Sequence, residues 1–166
     1  MKHHFFILLL LTIFSSCTTS NKFITKNNKL SDKLIREIYT NNKNVFFLRS
    51  SNATFSTIWS YVNNEIVIYK LANGKLISKK THAVSNDKLA HDDLSNFNEI
   101  NLDSAICDYL LDGDLFGFIL KDNDNIVDKS FPIEIECLKK VELKSSSMNK
   151  IINDIKLFKL WEVTYH

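Results

Sequence analysis

Apolar and polar positions alternate with a period of two through much of the middle of the chain, a texture that predicts strands. Thr54 to Val62 (TFSTIWSYV) is dense in aromatic and β-branched residues, and Asn63-Asn64 separates it from a second such run, Glu65 to Leu71. Asn73-Gly74 then leads to Lys75 to Lys80; Asn-Gly supplies the two positive φ angles of a type I′ turn, so three strands in a meander are expected. Val45 to Leu48 is a short continuous apolar run suited to a further strand. Ile106 to Leu111 and Leu115 to Leu120 flank Asp112-Gly113-Asp114, and Lys121 to Asn125 forms another polar turn before Ile126 and Val127, which predicts a second meander. Ile133 to Leu138 alternates apolar with charged residues behind Pro132, as a strand with one solvated face should.

Two segments carry the helical period instead. Ser31 and Asp32 precede Leu34, Ile35 and Ile38, which places a cap and a first-turn acid ahead of an amphipathic stretch. Ser145 leads into Met148, Ile151, Ile152 and Ile155, an i, i+3, i+4, i+7 pattern. Ser85 to Asn101 is polar and mostly irregular, with Leu89, Leu94 and Phe97 as its apolar points, and Phe158 to Tyr165 is expected as a final strand. Most joins are too short for parallel crossovers, so the fold class is α+β: a predominantly antiparallel β-meander sheet with two short helices, one N-terminal and one near the C-terminus.

The start of the chain has a different grammar. Met1-Lys2-His3-His4 precedes an apolar run from Phe5 to Phe14, followed by Ser15-Ser16-Cys17. A helical membrane span needs roughly 20 apolar residues, so this shorter run has signal-peptide anatomy. Ser15-Ser16-Cys17 resembles the lipobox of bacterial lipoproteins, with Phe14 where that motif usually carries an aliphatic residue. The resemblance covers the first seventeen residues only. It implies removal of residues 1–16 with His3 and His4, lipidation of Cys17, and residence in the cell envelope, facing the periplasm or the exterior. Residues 17–29, rich in Asn, Lys and Thr, then read as a lipidated N-terminus and flexible tether, and residues 30–166 as one globular domain.

Composition narrows the function. The 166 residues are 45% hydrophobic and 24% charged, enough for one real core, and 21 Lys plus Arg against 19 Asp plus Glu lack the electrostatic footprint of a nucleic-acid binder. Three glycines leave no Gly-rich phosphate loop, and no nucleotide or other cofactor is expected. Cys107 and Cys137 suit one disulfide in an oxidising compartment, closing a loop of about thirty residues worth ~3–4 kcal/mol.

Catalytic grammar is sparse. His82, His91, Asp92 and Asp93 form the one constellation that could hold a divalent metal or supply an acid and a base, although their spacing matches no ligand signature. Asp112, Asp114, Asp122, Asp124 and Asp128 gather carboxylates near two turns, but a calcium loop starting at Asp122 would place Val127 at its glycine position and Ile133 at its glutamate position. Turn chemistry accounts for them instead. Trp59, Tyr61, Tyr69, Phe116, Phe118, Trp161 and Tyr165 are mostly core candidates, with any exposed subset available for recognition. The expectation is a non-enzymatic envelope lipoprotein that binds membrane lipid through Cys17 and a protein partner through its domain, as an accessory or inhibitory module. The rivals are a metal-dependent enzyme around His82, His91, Asp92 and Asp93, and a carrier of a small apolar ligand.

Overall fold

The computed structural model describes residues 23–52, 54–85, 89–97, 114–133 and 145–162. Helix α1 spans residues 23–42. Strands β1 (Asn44–Arg49), β2 (Phe55–Val62), β3 (Glu65–Ala72) and β4 (Lys75–Ala83) follow, then the short helix α2 (His91–Ser95), strands β5 (Asp114–Asp122) and β6 (Asn125–Ile133), and helix α3 (Ser146–Leu157). The strands form one six-stranded sheet in the order β4-β3-β2-β1-β5-β6, with every neighbouring pair antiparallel. This is the expected α+β architecture, with the β1–β4 meander intact.

The sheet is packed by helices on both faces, which explains the unbroken apolar run of β1. Val45 and Phe47 join Ile58 and Leu71 beneath Ile35 and Ile38 of α1, while Phe46 and Leu48 point the other way. There they meet Trp59, Phe116 and Phe118 beneath Met148, Ile151, Ile152 and Ile155 of α3. A strand with both faces buried needs apolar residues at successive positions, whereas a half-solvated one alternates. Both meander turns are built as expected: φ is 49° and 65° at Asn63 and Asn64, and 51° and 73° at Asn73 and Gly74.

Helix α1 begins earlier than Ser31. Residues 23–29, expected within the tether, are helical and docked on the sheet: Asn27 is fully buried, its side-chain N–H donates to Ser56 Oγ at 3.1 Å, and its Oδ1 accepts from the Gly74 N–H at 3.2 Å. Tertiary hydrogen bonds therefore hold a turn that local propensity does not advertise. Residues 17–22 lie outside the described residues, as do the strand expected over 106–111 and residues 134–138. Pro132 and Ile133 do not open a new strand. They close β6, where Pro132 pairs with Leu115 on the sheet's outer edge and its missing N–H costs no ladder bond.

Helix α3 starts as expected: the Ser145 hydroxyl accepts the Met148 N–H at 3.0 Å. Its end overturns the expected final strand. Lys159 takes a φ of 49°, and the N–H groups of Leu160 and Lys159 return to the carbonyls of Ile155 and Lys156 at 3.1 and 3.3 Å. This left-handed cap folds Leu160 into the core, and residues 158–161 are turn. Residues 163–166 lie outside the described residues. A side chain in the left-handed region costs about 1 kcal/mol that glycine avoids. Lys159→Gly is therefore expected to stabilise the fold by ~0.5–1 kcal/mol, read as a raised urea midpoint at unchanged slope.

Candidate functional site

Two clefts of similar size flank the α3 side of the sheet. The first, about 580 Å³, opens where α1 ends beside the β2–β3 turn, and Asn42, Asn44, Tyr61, His91, Lys121 and Lys150 contribute to its wall. Its floor is knitted by Asn44, whose amide N–H donates to the carbonyls of Asn42 (3.0 Å) and Tyr61 (2.9 Å), while its Oδ1 accepts from the Tyr61 N–H at 2.8 Å.

Against this floor sits a polar trio. Tyr61 donates its hydroxyl to Asp154 Oδ2 at 2.8 Å, and Lys150 approaches the same oxygen at 3.2 Å, with its ammonium 5.3 Å from the centre of the Tyr61 ring. Lys150 and Asp154 lie four residues apart on α3, one turn of helix, so both reach Tyr61 on β2. Burial raises the Tyr61 pKa well above the usual phenol value, and the neighbouring Asp154 carboxylate adds to the rise through its charge and its hydrogen bond. The phenol is thus a neutral donor, and each member of the trio is engaged by another. Such a set fixes α3 on the sheet and leaves no idle base or nucleophile.

His91 has capacity to spare. Among the described residues, Asn28 Oδ1, Tyr39 Oη and His91 Nε2 are buried without a hydrogen-bond partner, and of these His91 belongs to the lining of a large cleft. The Nδ1 atom lies 3.9 Å from Asp92, whose side chain is fully solvent-exposed.

The second cleft, about 570 Å³, runs between β3–β4 and the C-terminal end of α3 and includes Ile77, Ser78, Lys80, His82 and Leu157. His82 stacks on Phe158 with ring centres 4.9 Å apart. Lys70 donates to the carbonyls of Lys159 (3.1 Å) and Glu162 (2.6 Å). Burial lowers the Lys70 pKa, the Glu162 charge opposes that fall, and Lys80 adds to it.

The two histidines of the metal hypothesis therefore do not share a site. His82 lines the second cleft and His91 the first, Asp92 faces solvent, and Asp93 accepts the Ser147 N–H at 2.9 Å at the start of α3. Burial alone would raise the Asp93 pKa, but hydrogen bonds from Ser147 and the neighbouring serines outweigh it and hold the carboxylate below its usual range. No group of three or more potential metal ligands exists among the described residues. Asp114 and Asp122 stand at opposite ends of β5, roughly 25 Å apart at ~3.3 Å per residue, and Asp114 instead accepts the Ser51 N–H at 2.8 Å. Cys17, Cys107, Cys137 and Asp112 lie outside the described residues. Trp59, Phe116 and Phe118 are buried in the core. No helix among the described residues is long and apolar enough to cross a membrane.

Sequence reasoning missed the Tyr61–Asp154–Lys150 trio, for which the signal was an acid lying between Ile151 and Ile155 on the apolar side of α3. It placed strand β4 in the meander but not its position at one edge of the sheet, the most open feature among the described residues. The opposite edge carries Pro132, and Lys129 beside it is tied to the carbonyls of Ser95 and Phe97. Among the described residues strand β4 has no such cover: eight of its nine residues are exposed, Ser78 being the exception, and β3 is its one described pairing partner. Leu76 and Ile77 on β4 and Leu157 nearby are exposed large aliphatic residues. Comparison with family models, with curated proteins and with solved structures finds no match to this chain.

Proposed function

We propose that the chain is a lipid-anchored protein-binding module of the cell envelope, tethered through Cys17, which works by recognition and engages its partner through the open edge of β4. The observation that carries this reading is β4 itself, a nine-residue strand solvent-exposed nearly throughout, with aliphatic residues beside it. An edge strand presents unspent backbone donors and acceptors, and proteins that do not use such an edge keep it short or covered. The metal-enzyme alternative finds less support because His82 and His91 belong to different clefts. The carrier alternative asks for an apolar chamber, whereas helices pack both faces of the sheet and both large clefts are lined with Asn and Lys or with Lys and His.

The test has two arms. Cys17→Ser is expected to shift the chain from the membrane to the soluble extracytoplasmic fraction, and an unchanged membrane fraction would refute the anchor. A photo-crosslinking amino acid at Ser78 should trap one partner in intact cells far more efficiently than the same group at exposed Glu37 on α1. Equal yields from the two positions would refute β4 as the recognition edge.

A further inference from the structure

Backbone register settles which groups of β4 face outward. The Val84 N–H donates to the Asn64 carbonyl at 2.9 Å, and in an antiparallel pair the residues whose backbone groups face the neighbour alternate. His82, Lys80 and Ser78, opposite Ile66, Ile68 and Lys70, therefore spend their N–H groups on β3, while Ala83, Thr81 and Lys79 direct theirs to the free edge. Charge along this edge has one dominant sign. Lys75, Lys79 and Lys80 lie on the strand, and Lys70 and Lys159 belong to the adjoining cleft. Among the described residues the opposing carboxylates are Glu65 at one end of β3 and Glu162, which already lies 3.7 Å from Lys159.

The same lysines argue against a second copy of this chain as the occupant, because edge-to-edge pairing of two β4 strands would bring like charges together. They also bear on an anionic membrane surface, which would satisfy the charges but could not satisfy a row of N–H and C=O groups set at strand spacing. An extended polypeptide carrying carboxylates satisfies both. We propose that β4 accepts an extended acidic segment of the partner protein, which adds to the six-stranded sheet as a further strand, sets its carboxylates on the face of Lys79 within the positive field of Lys75 and Lys80, and on the other face places an apolar side chain in the groove between Ile77 and Leu157. This inference rests on the protein-binding reading above and adds the chemistry of the partner.

The probe is a fluorescein-labelled peptide of four Glu-Val repeats, with four Lys-Val repeats as its counterpart, titrated by fluorescence anisotropy into the whole chain purified in detergent. The acidic peptide is expected to bind at low salt and the basic one not to bind. Affinity should fall about tenfold or more in Thr81→Pro, which removes one outward N–H and leaves the β3–β4 ladder intact, and also in the double variant Lys79→Glu, Lys80→Glu. Binding should slow hydrogen exchange at the amides of Lys79, Thr81 and Ala83. Should Thr81→Pro fail to fold, the charge-reversal pair and the exchange pattern decide alone. Undiminished binding in folded Thr81→Pro, equal binding of the basic peptide, or attachment to phosphatidylglycerol vesicles in place of the peptide would overturn the proposal. Capture from Ser78 that survives both sets of substitutions would overturn the acidic-strand inference and leave the binding module standing; absence of selective capture at Ser78 in the otherwise unsubstituted chain removes both.

Discussion

Replacing Asp154 with alanine is expected to destabilise the protein by about 3 kcal/mol near neutral pH, the low end of what breaking a buried ion pair costs. Asp154 is the common acceptor of Tyr61 and Lys150, and the Lys150 and Asp154 side chains are only 12% and 10% exposed. Without the carboxylate, Tyr61 keeps a buried hydroxyl with no acceptor there, and Lys150 keeps a largely desolvated ammonium facing only a ring. Lys150 also lines the first cleft and can reach water through it, which sets the effect at the low end. A double-mutant cycle with Lys150→Met isolates the charge pair: the second substitution should recover part of the loss, because it removes the stranded cation. Urea midpoints at unchanged slope measure both. Equal midpoints for wild type and Asp154→Ala would show that the trio holds nothing.

The same trio sets an alkaline limit. The Tyr61 pKa is raised in the folded state, so the stability due to its neutral form is fully present below the unfolded phenol value near 10. It is lost as pH rises from there through the folded value. Tyr61→Phe should remove this slope, whereas Asp154→Ala should only reduce it, since burial, the largest cause, persists. A wild-type stability that stays flat above pH 10 would contradict the assignment.

How much of this was legible in the sequence depends on whether the signal was local. Asn63-Asn64 and Asn73-Gly74 encode their own left-handed angles, so the β2–β3–β4 meander could be read from two dipeptides. Ser145 and the spacing of Met148, Ile151, Ile152 and Ile155 did the same for α3. The start of α1 could not be read that way, because Asn27 is helical through Ser56 and Gly74, which are remote in sequence. Phe158 to Tyr165 misled for the opposite reason: Trp161, Val163 and Tyr165 alternate as a strand would, yet at its start a left-handed Lys159 turns the chain back onto α3. Candidate chemistry was less legible still. His82 and His91 are near in sequence, but the end of β4 and the start of α2 carry them into separate clefts. The open edge depends on strand order, and the β1–β5 pairing that places β4 at one end of the sheet joins segments remote in sequence.

That long-range pairing supplies the second large effect. Gly117 on β5 lies directly opposite Phe47 on β1, and the Cζ end of the Phe47 ring lies over it. A Cβ added at Gly117 would come within 2.2 Å of Cζ and within 2.8 Å of both Cε atoms of that ring. The ring cannot simply swing aside, because Phe47 is 7% exposed and packed among Val45, Ile58 and Leu71 beneath α1. Glycine is here a matter of space, since an aromatic ring laid over the backbone shields the ladder on both strands while filling the position a side chain would take. Gly117→Val supplies a residue with high strand propensity and is nevertheless expected to cost ~2–3 kcal/mol through overpacking, seen as a lowered urea midpoint. The double variant Phe47→Leu, Gly117→Val removes the ring atoms that meet the new Cβ and should recover part of that loss; Phe47→Leu alone should cost ~1 kcal/mol or more from the gap it leaves. Were strand propensity the controlling quantity, Gly117→Val would raise the midpoint instead, and the sign of that single shift decides between the two.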